Sequence, residues 1–334
     1  MPFTAMARSV RSLALAAVLG LTGVAAASAE EIVVSNYAQT TNGMPFSVAM
    51  EKGFFKEFGV TVTGILSSDG GGTTIRNLLG GKLAYGEAAV GAVVSAVQGG
   101  ADLRIISGNV HTVAEFAWLV MPNSPVKSLK DIKGKKLGYT NPRSTSQALQ
   151  VLMLEREKFQ TSDVELIRTG GFGAGLTALE LNGIDVMVVA DPLWTLNPGK
   201  FRIIAEATDV LPPLSNVVGV TTGEAARTRG DFIRGVIRAR RKAVDYMLAN
   251  VPESSRIIAK AYNLDPGVTE KVVNNLIASE KKGGIPYWGP GDLRIDTMDN
   301  MIRAQKLVGA LEGEADWSKL VDESFLPDDL KRKR

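Results

Sequence analysis

The chain has 334 residues, with 38 Lys and Arg against 35 Asp and Glu, one histidine, no cysteine and a formal charge of +3. The lack of cysteine excludes disulfides, thiolate metal sites, thiol nucleophiles and a lipid-bearing cysteine, and a single histidine excludes His-cluster metal centres. A nearly balanced charge offers no electrostatic footprint for nucleic acid or an anionic membrane.

The amino terminus reads as a secretory signal peptide. Arg8 and Arg11 precede an apolar run from Leu13 to Val24, and Ala27-Ser28-Ala29 forms an A-x-A cleavage site. The run is well short of the roughly twenty residues a spanning helix needs. Cleavage after Ala29 is expected, which removes two arginines and lowers the formal charge from +3 to +1. The remaining chain, about 305 residues, exceeds the size at which a single core usually divides, so two lobes are expected.

Glu31 to Tyr37 is a β-branched strand, Pro45 to Phe58 carries apolar residues at helical spacing, and strand character resumes at Gly59. This β-α-β pattern repeats through the glycine-rich turn at Asp69 to Gly72, a helix from Thr73 to Leu79, a strand at Ala84 to Ala88, a helix over Val90 to Gln98 and the strand LRIISGNV. The register changes near Glu115, where FAWLVMP leads into the lysine-rich connector NSPVKSLKDIKGKKLGYT. There follow a helix headed by Arg143-Ser144-Thr145-Ser146, the strand VELIRTG, the helix GLTALELNG, the strand IDVMVVAD, then FRIIAEA and a Pro-rich turn at Leu211 to Leu214. NVVGVTT reads as the return crossing.

The remainder is helical. DFIRGVIRARRKAVDYML sets Phe232, Ile233, Val236, Ile237, Val244 and Leu248 on one stripe, with Arg234, Arg238 and Arg241 on an opposite, solvated face. Helices are also expected over 253–262, 268–280 and 295–309, and the basic end from Lys331 reads as a solvated terminus.

Catalytic motifs are absent from the sequence. No G-x-S-x-G elbow presents a serine, and Leu83 follows Gly80-Gly81-Lys82 where a phosphate loop needs a hydroxyl. Glu155 and Glu157, two apart on a helix, face different ways. Gly171 to Ala178 contains G-x-G-x-x-A after a strand, but that strand is short and polar, and NAD is scarce outside the cytoplasm. The alternative use of the same geometry is a close backbone approach to another ligand at a helix head.

Small and polar residues recur where strands hand over to helices, at Gln39 to Met44, Asp69 to Thr74, Asn109 to Thr112, Arg143 to Ser146 and Phe172 to Gly175. In open parallel sheets such loops surround a ligand cleft. The segments AMEKGFFKEFGVTV, GGGTTIRNLLGGKLAYGEAAV, NSPVKSLKDIKGKKLGYT and LTALELNGIDVMVVADPLW, in this order and spacing, resemble the periplasmic solute-binding proteins of ABC importers. The likeness is to the NMT1/THI5-like branch, which takes sulfonates, nitrate and thiamine precursors.

That resemblance implies an α/β fold of the two-lobed type II periplasmic-binding class. Each lobe would be a mostly parallel sheet flanked by helices, with a helical C-terminal region. The expected division is a signal peptide over 1–29, lobe 1 over 30–115, lobe 2 over 116–220, and the completion of lobe 1 with the C-terminal helices over 221–334. A monomer would capture a small organic anion, a sulfonate or carboxylate, by hinge closure in the periplasm and deliver it to a membrane permease and its ATPase. No cofactor, metal or nucleic acid is expected, and no catalysis.

The implied ligand contacts are Tyr37, Gln39, Thr41, Met44, Gly71, Gly72, Thr73, Asn109 and His111 from the first lobe. From the second come Ser144, Thr145 and Ser146 as an anion cradle, with Phe172, Gly173, Asp191 and Trp194. Ser144 or Thr145 also reads as a plain N-cap, His111 as a hydrogen-bonded structural residue, and Trp194 as a core aromatic. With Arg143 as the main cation of these loops, an organic ligand is favoured over a bare inorganic ion. A sensing module for a membrane receptor fits the same sequence; a pyrimidine-synthase-like enzyme of this fold would need a cysteine-rich motif that the chain lacks.

Overall fold

The computed structural model describes Met1 and residues 29–333. The signal-peptide reading lies outside the described residues except at Ala29, which opens the first strand.

Strand β1 (Ala29–Ser35), helices α1 (Met44–Glu51) and α2 (Phe54–Glu57), and strand β2 (Thr61–Ser68) form the first β-α-β unit, with β1 and β2 parallel. Helix α3 (Gly71–Leu79) leads to β3 (Gly86–Ala89), parallel to β1 on its other side, and α4 (Val90–Gln98) leads to β4 (Leu103–Val110). The chain then leaves this sheet. A second sheet is built from β5 (Phe116–Val120), β6 (Lys136–Tyr139), β7 (Glu165–Arg168), β8 (Val186–Ala190) and β9 (Arg202–Glu206), with α5 (Thr145–Arg156), α6 (Phe172–Glu180) and α7 (Ala207–Val210).

The return crossing delivers β10 (Val217–Thr222) between β3 and β4, antiparallel to both. Helices α8 (Gly223–Thr228), α9 (Gly230–Ala249), α10 (Val251–Tyr262) and α11 (Pro266–Gly283) follow, then β11 (Trp288–Gly291), α12 (Ile295–Leu307) and α13 (Trp317–Leu320). The sheet orders are β11-β4-β10-β3-β1-β2 and β7-β6-β8-β5-β9.

Both sheets are mixed, and the reason is topological. Strands joined through helices within one sheet pair parallel, as β1 does with β2 and β6 with β7, whereas strands that enter from the other sheet, such as β5 and β10, pair antiparallel. Strand β11 was not expected, since Trp288-Gly289-Pro290-Gly291 has turn composition. It joins β4 where the backbone of Asp292 comes so close to Gly108 that a Cβ there would overlap its carbonyl.

The central strands of the second sheet, β5 and β8, are buried on both faces, as a near-continuous apolar run such as FAWLV requires. Trp118, Val120, Val186, Val188 and Ala190 join the main core with Leu149 and Met153 of α5. Ala117, Leu119, Met187 and Val189 point the other way, onto Leu176 and Leu179 of α6. Gln150, fully buried on α5, is satisfied at both ends: it accepts from the Trp118 indole at 2.8 Å and donates to the Gly138 carbonyl at 2.8 Å.

Helix α9 packs Phe232, Ile233, Val236, Ile237 and Val244 inward as its periodicity predicts, but Met247 takes the buried place and Leu248 is exposed. Arg234 and Arg241 lie on the outer face in pairs with Asp231 and Asp329. Arg240 is different, being buried under the first sheet opposite Glu87 at 3.4 Å. Its guanidinium donates to the carbonyls of Gly289 (2.7 Å) and Asn109 (2.6 Å). Glu87 accepts from the amides of Asn42 (2.8 Å) and Asn109 (2.5 Å), so both of its oxygens are bonded. Burial raises the Glu87 carboxyl, against the opposing pull of Arg240 and the two amides.

Removing one partner of such a pair strands a charge in low dielectric, which costs about 3–5 kcal/mol. Arg240→Met is therefore expected to lower unfolding free energy by that order in urea denaturation, and Glu87→Gln added to it to recover part of the loss. Equal stability of Arg240→Met and the parent chain would contradict the role given to the pair.

Candidate ligand site at the junction of the two sheets

The two segments that join the sheets run from Val110 to Phe116 and from Val210 to Val217. Each ends on a buried polar residue just ahead of its strand, Glu115 before β5 and Asn216 before β10. The Asn216 amide donates to Glu115 Oε1 at 2.8 Å, while its backbone N–H donates to the Val110 carbonyl and its own carbonyl accepts from Val90, both at 3.0 Å. The two crossings are thus tied to each other and to the first sheet.

Side chains from both sheets gather here. From the second sheet, Thr145 at the head of α5 donates through Oγ1 to Asn216 Oδ1 at 3.3 Å, and the Trp194 indole donates to the Glu115 carbonyl at 3.1 Å. The Asp191 N–H donates to the same carbonyl at 2.8 Å, and Phe172 lies against Phe116 with ring centroids 6.2 Å apart. From the first sheet, Thr41 and Tyr287 share a hydrogen bond at 2.6 Å, and the Trp288 indole donates to the Thr41 carbonyl at 3.0 Å. The Tyr287 hydroxyl faces the Glu115 carboxyl and favours its charged form.

The electrostatics are acidic. Glu115 is 4% exposed and its Oε2 has no hydrogen-bond partner. Its carboxyl is pushed up to about 8, mainly by burial, with Asp191 adding to the rise and Asn216 and Tyr287 opposing it. Asp191 is 1% exposed; Oδ1 accepts from the Thr195 N–H at 3.3 Å, while Oδ2 and the Thr195 hydroxyl have no partner. Burial pushes this carboxyl up to about 7. Among the described residues, no lysine or arginine forms an ion pair with either acid.

Of the expected contacts, Thr41, Thr145, Phe172, Asp191 and Trp194 meet at or beside this junction. The hydroxyls expected to cradle an anion divide their work. Ser144 caps α5, accepting from the Gln147 N–H at 3.2 Å, and shares a hydrogen bond with Ser146 at 2.8 Å. Ser146 is buried and turns back to the end of β6, where its oxygen accepts from the Thr140 N–H at 3.0 Å and bonds the Thr140 hydroxyl at 2.8 Å. Only Thr145 reaches across to the other sheet. Arg143 is exposed and holds Gln147 through its backbone N–H.

Other expected contacts lie elsewhere. Asn109 spends its amide on Glu87 and Tyr85 and accepts from Ser107, so it belongs to the buried network under α9. The ring of His111 is fully buried, close to Gly108 and Gly289, with Nε2 on Asp292 at 2.9 Å. Burial lowers its pKa despite Asp292, and the ring is packed as part of the core.

Met44 is core, Gln39 and Gly173 are exposed, and Thr73 accepts from Arg76 at the head of α3 beside Gly71 and Gly72. Tyr37 packs edge-on against Tyr262 and lines a surface depression of about 390 Å³ with Met50, Glu51 and Lys260. The sequence reading missed Glu115, Thr195, Asn216 and Tyr287. Glu115 carried a usable signal: a lone acid directly ahead of a wholly apolar strand.

The raised acids bear on stability. Both sit above their ordinary values of 4.5 and 3.8 in the folded chain, so their contribution is fully present below those values and is lost as pH rises through about 7 and about 8. Glu115→Gln is expected to raise the melting temperature by a few degrees at pH 8, to give no such gain at pH 4.5, and so to flatten the pH profile between them. An equal effect at both pH values would contradict the burial of a titrating carboxyl.

No curated protein matches the chain by sequence. Among solved structures, the periplasmic aliphatic sulphonate binding protein SsuA from Escherichia coli superposes with a TM-score of 0.73 at 17% identity, over 92% of this chain and 94% of that one. The alkanesulfonate-binding protein SsuA from Xanthomonas axonopodis pv. citri, bound to MOPS, gives 0.67 at 18% identity over 85% and 96%. The nitrate-binding protein NrtA from Synechocystis PCC 6803 gives 0.67 at 14% over 90% and 87%. These likenesses establish the periplasmic-binding-protein fold. A family model described as NMT1/THI5 like matches residues 40–254, most of the chain, and the protein therefore belongs to the NMT1/THI5-like family.

Proposed function

We propose that the protein is the solute-binding component of an ABC importer, exported by its amino-terminal segment. In this reading a small organic solute is held at the junction of the two sheets, each with its helices forming one lobe. The observation that carries it is the meeting of Thr41 and Tyr287 from one side with Thr145, Asp191 and Trp194 from the other, around the hydrogen-bonded pair of crossings at Glu115 and Asn216.

Two connections between two sheets permit rotation about the crossings, the usual hinge geometry for enclosing a ligand. The aromatic groups Phe172, Trp194 and Tyr287 would supply apolar surface, and Thr145 and the acids would fix orientation, the usual division of labour in small-molecule sites. A monomer that closes on its solute and presents the closed form to a membrane permease needs no catalytic group. The organic-anion expectation keeps one support, the head of α5 at Thr145; the serines beside it are engaged internally and Arg143 lies outside the junction.

The test is a thermal-shift and fluorescence panel of small organic anions, bases and neutral ring compounds on residues 30–334, with small-angle scattering on any binder. A solute at a hundred times its dissociation constant adds about 2.7 kcal/mol, enough to raise the melting temperature by a few degrees. The radius of gyration should fall on binding, and Trp194→Ala and Thr145→Ala should each weaken affinity by about tenfold or more, the equivalent of one lost contact. A binder indifferent to both substitutions would contradict the site.

A further inference from the structure

The polar groups left over at the junction point to the class of solute, an inference that rests on the proposed function. Strands β5 and β8 are antiparallel, with Phe116 opposite Ala190, and the next residues outward are Glu115 and Asp191, joined by the Asp191 N–H on the Glu115 carbonyl. The two acids are cross-strand neighbours. Like charges in that relation repel, and burial makes the repulsion stronger.

Each keeps one carboxyl oxygen without a close hydrogen bond, Glu115 Oε2 and Asp191 Oδ2, with only the hydroxyls of Tyr287 and Thr195 facing the two carboxyls as side-chain donors beyond Asn216. A buried acceptor left unmade costs far more than a hydrogen bond gains, so such groups in a folded chain call for an occupant. Glu87, another buried acid, shows the contrast, since both its oxygens are bonded and an arginine stands beside it.

The surrounding groups supply no cation to fill the gap. The Asn216 amide is spent on Glu115 Oε1 and the Trp194 indole on a carbonyl, and the two hydroxyls that face the acids, Tyr287 (shared with Thr41) and Thr195, are neutral donors. The charged and titratable groups that face the acids are Tyr287 and Asp191 towards Glu115, and Lys271 and Glu206 towards Asp191. Lys271 acts at a distance, without an ion pair. An anionic head group brought here would meet two acids and no bonded cation. A nitrogen base would give its N–H groups to both free oxygens and its charge to the pair.

We propose that the solute of this protein is a small organic cation, an amine or amidine whose nitrogen donors bridge Glu115 and Asp191 while its apolar body lies against Phe172 and Trp194. Such a base enters already protonated, so binding would hold the two carboxyls in their charged form and release a proton from the protein to solvent near neutral pH.

The experiment is isothermal titration of residues 30–334 at pH 7 with matched probes that share a ring size and differ in charge. Benzylamine and benzamidine stand on one side, benzoate and benzenesulfonate on the other, with potassium chloride as the inorganic cation. At least one base is expected to bind ten times more tightly than either anion, with heat that varies with buffer ionisation because a proton is released. Glu115→Gln and Asp191→Asn should each weaken that base tenfold or more; the Asp191 substitution serves if the other does not fold.

Anions binding more tightly than both bases, and losing affinity with Trp194→Ala, would overturn the base while leaving the junction as the site. A base bound equally well by both acid variants, or potassium bound as tightly as any base, would also overturn the proposal. No binding by any probe at millimolar concentration would overturn it, and solute binding by chemically unrelated compounds in the wider panel would then show that the failure is confined to the choice of class.

Discussion

One hydrogen bond, from the Asn216 amide to Glu115, sets the relation between the two halves of this molecule. It ties the outgoing crossing to the returning one, and the same asparagine fixes the first sheet through Val110 and Val90 and accepts Thr145 from the head of α5. Because Asn216 has two side-chain donors and one acceptor oxygen, it can hold partners from both sheets at once. Any rotation of one sheet against the other must therefore act on Glu115, Asn216 and Thr145 together.

The buried acids show how burial separates support from site. Glu87 is packed among Asn42, Asn109 and Arg240, with every oxygen engaged, and so anchors α9, β3 and β4 as one rigid layer. Glu115 and Asp191 are buried to a similar degree but keep one oxygen free each. In low dielectric a satisfied network stiffens a core, whereas an unsatisfied one is a standing demand for a partner. The first arrangement gives the second a fixed frame, since Asn109 of the Glu87 network lies one residue from Val110, where the crossing begins.

Much of the fold was legible in the sequence because the signals were local. Alternation and helical spacing marked nearly every strand and helix, and the change at Glu115 and the return at NVVGVTT marked the crossings. What was not legible depends on tertiary neighbours. Arg240 falls in the middle of the apolar stripe, at helical spacing from Ile233, Val236, Ile237 and Val244, so its burial was legible though passed over; what the helix pattern does not carry is its partner, Glu87, on a strand of the first sheet.

The three hydroxyls at the head of α5 were identical in composition terms, yet one caps, one ties β6 and one crosses the junction. Glycine and proline in β11 hid a strand that exists because β4 offers it an edge. The candidate site was half legible: Thr41, Thr145, Phe172, Asp191 and Trp194 came from the handover loops and the family resemblance, whereas Asn216 and Tyr287 come from segments that carry no handover signature. His111 and Asn109 sat in the right loop, but their side chains turn into the core.

The most direct test of the account is a crystal structure of the protein with the tightest-binding solute from the probe panels. The account predicts the solute enclosed at the junction, touching Thr145 and Trp194 on one side and Thr41 or Tyr287 on the other, within hydrogen-bond distance of Glu115 and Asp191. A solute seated instead in the surface depression beside Tyr37 and Lys260, with both acids still unpartnered, would contradict it.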